Sequence, residues 1–199
     1  MSMVVGLVNY GTAGNIHSVK KALEKAGAEV QLINTPLDFK KVPRIVLPGV
    51  GSFKEAMEEL ENDGFIDPIR NFDGPILGIC LGMQILSTLG YEHGHTEGLG
   101  FIKAVVKPID YHGKIPHFGF NQVDVIKDSK LFEGIEKESF YFMHSFELVG
   151  FHDVLSTTTY HEHMFVSAVS KNKIYGVQFH PEKSRDAGIK LLANFLEIN

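Results

Sequence analysis

Cys80, the only cysteine of the chain, stands between two glycines at the end of an apolar run, in the segment GICLG (78–82). The apolar residues 75–79 predict a buried strand, and the apolar spacing in 81–90 predicts a helix. The thiol therefore falls at a strand–helix junction, which in open α/β folds lies at the sheet edge where ligands bind. A cysteine reacts as its thiolate, and the N-terminus of a helix favours that form.

The spacing G-x-C-x-G has the mechanics of the nucleophile elbow G-x-S-x-G. Glycines two residues before and two residues after Cys80 permit a sharp turn that pushes the side chain outward. The alternative is that Cys80 is a small buried hydrophobic residue, which is common for a single cysteine. The glycine pair at this junction favours the nucleophile.

A cysteine nucleophile needs a base, and the base needs a group that orients it. Of the ten histidines, His180 stands out because it ends an apolar strand in YGVQFHPEKS (175–184), which Pro181 then stops. Glu182 lies two residues further, where an extended chain returns to the same face. Its carboxylate can accept one ring N–H, which leaves the other nitrogen to face the thiol. An H-x-E pair by itself is a weak signal, since surface polarity also produces it.

A third group of interest is the glycine-rich turn in LPGVGSF (47–53). Backbone N–H groups of Gly49, Val50 and Gly51 are unblocked enough to stabilise an oxyanion. The alternatives are a plain strand–helix turn or a phosphate cradle. The segment has neither the Lys-Ser/Thr ending of a P-loop nor the G-x-G-x-x-G pattern, so nucleotide binding is disfavoured.

The elements that must position these groups alternate short apolar runs with helical patterns. In the first half they are strand 3–10, helix 15–27, strand 28–33, strand 44–53 with its glycine-rich turn, helix 53–64, strand 75–79 and helix 81–90. This order, with continuously apolar strands, predicts a parallel sheet that is covered on both faces.

After Gly98 the pattern changes to short strands separated by turn signals, which indicates antiparallel or mixed pairing. The predicted strands lie in 99–109, 139–148, 151–160, 163–170 and 173–180. A final amphipathic helix is predicted over 184–199, with Ser184 as its N-cap. The predicted fold class is α/β, an open and mostly parallel sheet flanked by helices, with antiparallel additions in the C-terminal half.

Length and composition fit one domain, residues 1–199, with a sizeable core, since 44% of the residues are hydrophobic. A net charge of −5 argues weakly against nucleic acid. No apolar run is long enough to cross a membrane, and the N-terminus does not resemble a signal peptide. One cysteine cannot form an internal disulfide, which fits the cytoplasm. The segment HEH (161–163) fits a turn better than a metal site, so neither metal nor cofactor is predicted.

Three segments together carry a resemblance to a known family: GICLGMQ, PGVGSF and FHPEKS. In content and order they resemble the class I glutamine amidotransferases, and the resemblance covers the whole chain. Within that family the chain is similar to the glutaminase subunits of imidazole glycerol phosphate synthases. The segments GNIHSV (14–19), PHFGFN (116–121) and YFMHS (141–145) carry this finer similarity.

The resemblance implies a Cys-His-Glu triad of Cys80, His180 and Glu182, in which the thiolate attacks the side-chain amide of glutamine. It implies that His180 protonates the departing ammonia and that water then hydrolyses a glutamyl thioester. Oxyanion donors would be the Leu81 N–H and an N–H within 49–51. The positions that match the glutamine-binding residues of the family are Gln84, Glu92, Ser145 and Phe146.

The resemblance also implies a partner, because the chain leaves no room for a second site that would use ammonia. That partner would be a synthase or cyclase subunit with a β/α-barrel fold, in a heterodimer. Asn15, Phe120, Tyr141 and Lys183 would face it. Phe120 stands where the family pattern has tryptophan.

Three other functions remain open at this point. A glutaminase subunit that supplies ammonia to a sugar amidotransferase, for surface polysaccharide synthesis, is the main alternative to histidine biosynthesis. A cysteine hydrolase that works without a partner, or a binding subunit without catalysis, is disfavoured by the combination of a complete triad and a chain of one domain.

Overall fold

The computed structural model describes residues 3–11, 15–150 and 152–198; Gly14 of the GNIHSV segment lies outside them. The strands are β1 Met3–Val8, β2 Ala28–Ile33, β3 Ile45–Leu47, β4 Ile76–Ile79, β5 Ser87–Gly90, β6 Thr96–Glu97, β7 Ile102–Pro108, β8 His117–Gln122, β9 Asp124–Val125, β10 Ser139–His144, β11 Phe146–Val149, β12 Val154–Tyr160, β13 His163–Lys171 and β14 Ile174–Val177. The helices are α1 Ile16–Lys25, α2 Phe53–Asn62, α3 Ile66–Arg70, α4 Leu81–Ile85 and α5 Arg185–Leu196. Short 3-10 turns occur at Pro36–Lys41, Lys130–Phe132 and Pro181–Lys183.

Eight strands form the main sheet, in the order β2-β1-β3-β4-β14-β13-β12-β9. The pairs from β2 to β14 are parallel, and β13, β12 and β9 continue the sheet in antiparallel pairs. The predicted fold class is therefore confirmed. β14 enters the parallel part directly beside β4, with Val177 opposite Ile79. This register places the strand ends that lead to Cys80 and His180 side by side.

Apolar clusters cover both faces of the main sheet, as the continuously apolar strands predicted. Val5 and Leu7 of β1 join one cluster with α1 and α5, and Val8 joins the other with α2 and α4. This alternation is what a strand buried on both faces requires. No helix within the described ranges is long and apolar enough to cross a membrane.

The predicted helix 81–90 is wrong beyond its first half, because α4 ends at Ile85 and β5 follows almost at once. Apolar residues at helical spacing indicated a longer helix, but β5 pairs in parallel with β7. The Thr88 hydroxyl donates to the Ala104 carbonyl at 2.6 Å. Gly90 ends no helix; a Cβ there would lie 2.6 Å from the Phe53 ring, so the glycine makes room for α2. Tertiary pairing overrides the local pattern here.

The predicted strand 139–148 is two strands that meet at Ser145 and belong to different sheets. β10 pairs with β8, whereas β11 pairs with β7 in a four-stranded sheet of order β11-β7-β5-β6. Ser184 occupies the N-cap position of α5, as predicted, but its hydroxyl makes no capping bond. It donates instead to the His180 carbonyl at 2.6 Å.

Candidate active site

Cys80 occupies a sharp turn between β4 and α4, with φ +54° and ψ −109°. A non-glycine residue adopts such a conformation only where its surroundings enforce it. Both neighbouring glycines are required by close backbone packing: a Cβ on Gly78 would lie 2.5 Å from the Gly82 carbonyl oxygen, and a Cβ on Gly82 would lie 1.9 Å from the Leu47 carbonyl oxygen. The elbow predicted from the spacing is therefore present, and β3 packs directly against it.

Cys80 is only 7% exposed, and its sulfur has polar neighbours on two sides. The Gln178 side-chain amide donates to Sγ at 3.6 Å, and Sγ lies 3.9 Å from the Met143 carbonyl oxygen. The Cys80 N–H donates to the Val177 carbonyl at 2.8 Å, which ties the turn to β14. The thiol is thus fixed between the strand ends of β4 and β14.

His180 and Glu182 form the ion pair that the H-x-E spacing predicted. His180 Nδ1 lies 2.8 Å from Glu182 Oε1, and both side chains are fully buried. The Asn15 amide donates to the same carboxylate oxygen. The Asn15 side chain is buried in the isolated chain and turned toward the triad, and its predicted contact with a partner stays a prediction. Two segments that are distant in sequence therefore converge on this carboxylate.

Backbone and hydroxyl groups fix the main chain of His180. Its N–H donates to the Tyr141 carbonyl at 2.8 Å, and its carbonyl accepts from the Ser184 hydroxyl. The same hydroxyl accepts from the Tyr141 N–H at 2.9 Å. Sequence reasoning missed this use of Ser184, because a serine before a helix predicts a cap.

The electrostatic surroundings of His180 favour its protonated form. Burial disfavours the imidazolium, but the neighbouring Cys80 thiolate and the Glu182 carboxylate outweigh it and raise the pKa of His180 to about 10. Its Nε2 has no hydrogen-bond acceptor among the described nitrogen and oxygen atoms. This nitrogen is therefore available to exchange a proton with the sulfur or with a bound molecule.

The glycine-rich turn after β3 packs against the elbow. A Cβ on Gly49 would lie 2.8 Å from Leu81 Cβ, and Gly51 has φ +108°, a region that favours glycine. The buried Tyr10 hydroxyl donates to the Pro48 carbonyl, and burial raises the pKa of Tyr10 well above its usual range. Sequence reasoning missed Tyr10, which holds this turn in place from the end of β1.

A cavity of about 260 Å³ opens over the sulfur. Its lining includes the nucleophile, the base and most of the remaining predicted site residues: Val50, Gly51, Leu81, Gln84, Glu92, Ser145 and Phe146. Gly49, which was also predicted to belong to the site, is not part of this lining. Glu92 Oε2 accepts from the Phe53 N–H at 2.7 Å, so the carboxylate is anchored at the start of α2 and borders the cavity.

A chain of neutral groups fixes the cavity wall at Phe146. The Phe146 carbonyl accepts from Gln84 Nε2 at 3.1 Å and from His144 Nδ1 at 2.9 Å. A carbonyl only accepts, so His144 carries its hydrogen on Nδ1, and its Nε2 accepts from His117 Nδ1 at 3.0 Å. His117 Nε2 accepts from the Asn121 amide at 2.7 Å. Burial lowers the pKa of His117 to about 4 and that of His144 to about 3, so both rings are neutral.

An exposed aromatic surface, made of Phe118, Phe120 and Tyr141, adjoins the triad. Phe118 is 61% and Phe120 41% exposed, and both rings pack edge-on against Tyr141 at 5.5 Å. The Lys183 ammonium lies 5.7 Å above the Tyr141 ring, and the Arg185 guanidinium lies 4.7 Å from the Phe120 ring. Three residues predicted to face a partner therefore lie together, and Phe118 and Arg185 extend the set.

A larger cavity, of about 710 Å³, lies elsewhere, between the 3-10 turn after β2 and the segments around α3 and the start of β4. Its lining is mostly apolar, and Lys40 and Asp73 are the charged residues of that lining. The lining includes no cysteine, serine or threonine, so volume does not identify the reactive site. Among the described residues no group of three or more His, Cys, Asp or Glu side chains could hold a metal ion.

The model of the family "Glutamine amidotransferase class-I" matches residues 7–198. The chain is 44% identical over 202 residues to the imidazole glycerol phosphate synthase subunit HisH 1 of Campylobacter jejuni, an alignment that covers 98% of this chain and 100% of that protein. It is 41% identical over 197 residues to the imidazole glycerol phosphate synthase subunit HisH of Desulfitobacterium hafniense, which covers 96% of this chain and 93% of that protein.

Solved structures share the fold at low identity. A putative GMP synthase component from Thermoplasma acidophilum superposes with a TM-score of 0.77 at 21% identity and covers 98% of this chain and 93% of that one. The PurLQS structure from Thermotoga maritima gives a TM-score of 0.72 at 19% identity, with 98% of each chain covered.

Proposed function

The chain belongs to the class I glutamine amidotransferase family, and from this we propose that it is the glutaminase subunit of an imidazole glycerol phosphate synthase. It hydrolyses glutamine to glutamate and ammonia for histidine biosynthesis. One observation carries the chemistry: Cys80 stands on a strained elbow in the same cavity as His180, whose Nδ1 pairs with the buried Glu182 at 2.8 Å.

The first half-reaction forms a thioester. The Cys80 thiolate attacks the side-chain amide carbon of glutamine, and the carbonyl oxygen becomes an oxyanion. The Leu81 N–H faces no partner inside α4 because Leu81 is the first residue of that helix. Together with an N–H from Val50 or Gly51, it stabilises the oxyanion. His180 gives its Nε2 proton to the departing nitrogen, so ammonia leaves and the glutamyl thioester remains.

The second half-reaction releases glutamate. His180, now neutral, takes a proton from water as the water attacks the thioester carbon. Collapse of the second tetrahedral intermediate expels the Cys80 thiolate and restores the ion pair with His180. Glu182 keeps the Nδ1 hydrogen in place through both steps, and its carboxylate stabilises the imidazolium whenever it forms.

The cavity offers polar groups for the amino-acid end of glutamine. Glu92 uses one carboxylate oxygen on the Phe53 N–H, which leaves the other oxygen for the α-ammonium group. Gln84 and the backbone at Ser145 and Phe146 form the opposite wall. A volume of about 260 Å³ over a nearly buried sulfur suits a single amino acid better than an extended peptide, which disfavours a peptidase.

The ammonia has to reach an acceptor on another protein. Free ammonia would mostly be protonated in water, so a synthase or cyclase subunit docks on the aromatic surface of Phe118, Phe120 and Tyr141 and forms a heterodimer. A β/α barrel is the partner fold that we expect. Sugar amidation is not favoured, because both relatives described above carry the name of an imidazole glycerol phosphate synthase subunit.

The test is glutamate release from glutamine by the complex with its synthase partner. Cys80→Ala should abolish the release while the circular dichroism spectrum and Tm stay near wild type, and His180→Ala should lose nearly as much. His112→Ala, at an exposed histidine outside the cavity, is the matched control. Full activity of the Cys80 variant would refute the mechanism. Co-purification with a sugar amidotransferase instead of a synthase or cyclase would refute the pathway.

A further inference from the structure

Gln178 is a fully buried amide in an apolar segment beside the elbow. It follows Val177 at the end of β14 and precedes Phe179, and none of the three is exposed. A buried glutamine is costly unless its oxygen and its two N–H groups find partners. Its partners therefore indicate what the side chain does.

The oxygen and the nitrogen of a side-chain amide have similar shapes, so the hydrogen-bond partners decide which way the Gln178 amide points. Gln84 Nε2 donates to the Phe146 carbonyl at 3.1 Å and to Gln178 Oε1 at 3.0 Å. The Phe146 carbonyl can only accept, so the Gln84 atom that contacts it must be the donating nitrogen. That nitrogen also contacts the Gln178 amide, so the Gln178 atom on this side must be the accepting oxygen. Gln178 Nε2 must consequently point the other way, toward Cys80 Sγ at 3.6 Å.

We propose that Gln178 is a further catalytic residue, whose Nε2–H donates to the Cys80 thiolate and holds the sulfur in its attacking position. The proposal rests on the function proposed above. A hydrogen bond to the charged form of a group stabilises that form, and the Gln178 amide is placed to make one to the sulfur. Gln84 holds the amide from behind, so the donor is already oriented when the thiolate reforms. Two amides thus connect the nucleophile to the Phe146 wall of the substrate cavity.

The ionisable groups around the sulfur come from several elements. They are His180 and Glu182 after β14, Tyr10 after β1, and His144 and Glu92 at the cavity. Among the described side chains Gln178 is the only uncharged one that donates a hydrogen bond to Sγ. Substitution of Gln178 leaves every ionisable group in place, so a change in thiolate reactivity is attributable to the lost amide.

Alkylation by iodoacetamide measures the thiolate without requiring glutamine turnover. Cys80 is the sole cysteine, so the rate reports on this residue alone. Gln178→Leu removes the donor and keeps an apolar strand; Gln178→Met keeps the length of the side chain and serves if the leucine variant does not fold. We expect alkylation to slow by about tenfold at acidic pH, where protons compete for the sulfur, which is the order of one hydrogen bond to a charged group, and to approach the wild-type rate as the pH rises.

Ser167→Ala is the matched control, because it removes a buried hydrogen bond to Ser156 at 2.9 Å on the neighbouring strand pair without contact to Cys80. Its alkylation profile should match wild type. Gln178 variants that fold and alkylate like this control would overturn the proposal, and the amide would then only pack the strand. If Cys80→Ala retained glutaminase activity, the proposed function would fail. The alkylation rates would still show whether Gln178 stabilises the Cys80 thiolate, because they do not depend on glutamine turnover.

Discussion

Cys80 and His180 sit side by side, yet different forces fix them. The thiol is positioned by the main chain, through a strained φ of +54° and glycines that let β3 and α4 meet backbone to backbone. The imidazole is positioned by side chains, through Glu182, Asn15 and Ser184. The residues that form the turn around the thiol are five consecutive ones, 78–82. The arrangement around the imidazole brings together groups that lie up to 167 residues apart.

The difference teaches that the two halves of the site should fail differently. A fault in the elbow displaces backbone and disturbs the fold, because strain persists only while the surrounding packing enforces it. A fault around His180 leaves the backbone in place and changes mainly the proton chemistry. Three variants test this contrast, from the largest expected effect to the smallest, and a pH series then tests the sign of the ion pair.

Gly82→Ala should have the largest effect, because its Cβ would lie 1.9 Å from the Leu47 carbonyl oxygen. We expect a loss of more than about 3 kcal/mol in the free energy of unfolding, together with the loss of glutaminase activity. Gly100→Ala, where φ is +77° and no atom lies within 4 Å of the added Cβ, should cost only about 1 kcal/mol. Chemical denaturation of both variants gives the comparison, and equal losses would show that the close packing is not the cause.

Glu182→Gln keeps the shape of the side chain and removes its charge, so it tests the His180 half directly. We expect kcat to fall by about 10²–10⁴-fold, because the imidazolium loses its carboxylate, and Tm to fall by less than in Gly82→Ala, because the backbone stays in place. The exposed Glu162, which also follows a histidine in an H-E-H segment, supplies the control Glu162→Gln. A large drop in Tm, as in an elbow variant, would contradict the contrast between the two halves.

Asn15→Ala removes one donor from the Glu182 carboxylate, a smaller fault in the same network. We expect kcat to fall by about tenfold with KM unchanged, since a lost hydrogen bond to a charged group has about this effect. The free chain and the complex should lose the same factor, because the contact lies within this chain. A loss seen only in the complex would show that Asn15 acts through the partner instead.

The pH dependence of stability tests the sign of the ion pair's contribution to folding. The pKa of His180 is raised from 6.5 to about 10 by its partners, so its proton stabilises the fold fully below pH 6.5. That contribution is lost as the pH rises through about 10. Urea unfolding at pH 6, 8 and 10 should therefore show the difference between wild type and His180→Asn shrinking as pH rises. A difference that grows with pH would have the wrong sign for this ion pair.

The turn at Cys80 could be predicted from the sequence, whereas the network around His180 could be predicted only in part. Glycine spacing around Cys80 and the alternation of His180 with Glu182 are local patterns, and the structure places both as expected. The helix over 81–90 was wrong because pairing of β5 with β7 is a contact that no local pattern contains. The contact of Asn15 with Glu182 was missed for the same reason.

The amide and imidazole network was missed, although one signal was available. Gln178 is polar, lies in an apolar segment, and stands two residues before His180, which predicts the same face of the chain. His117 and His144 gave no comparable signal, because a histidine beside aromatic residues is common in cores. Their mutual contact depends on β8 pairing with β10, with His117 opposite His144.

The position of β14 has a consequence for how the chain folds. β14 lies between β4 and β13, yet it follows both in the sequence. Until it inserts, β4 is an unpaired apolar edge that can pair with other chains. Synthesis from the N-terminus delivers Cys80 long before His180 and Glu182 leave the ribosome, so the growing chain holds a thiol without its base and cannot release ammonia. The same late insertion makes this sheet slow to form, because the strands that it joins are distant in sequence.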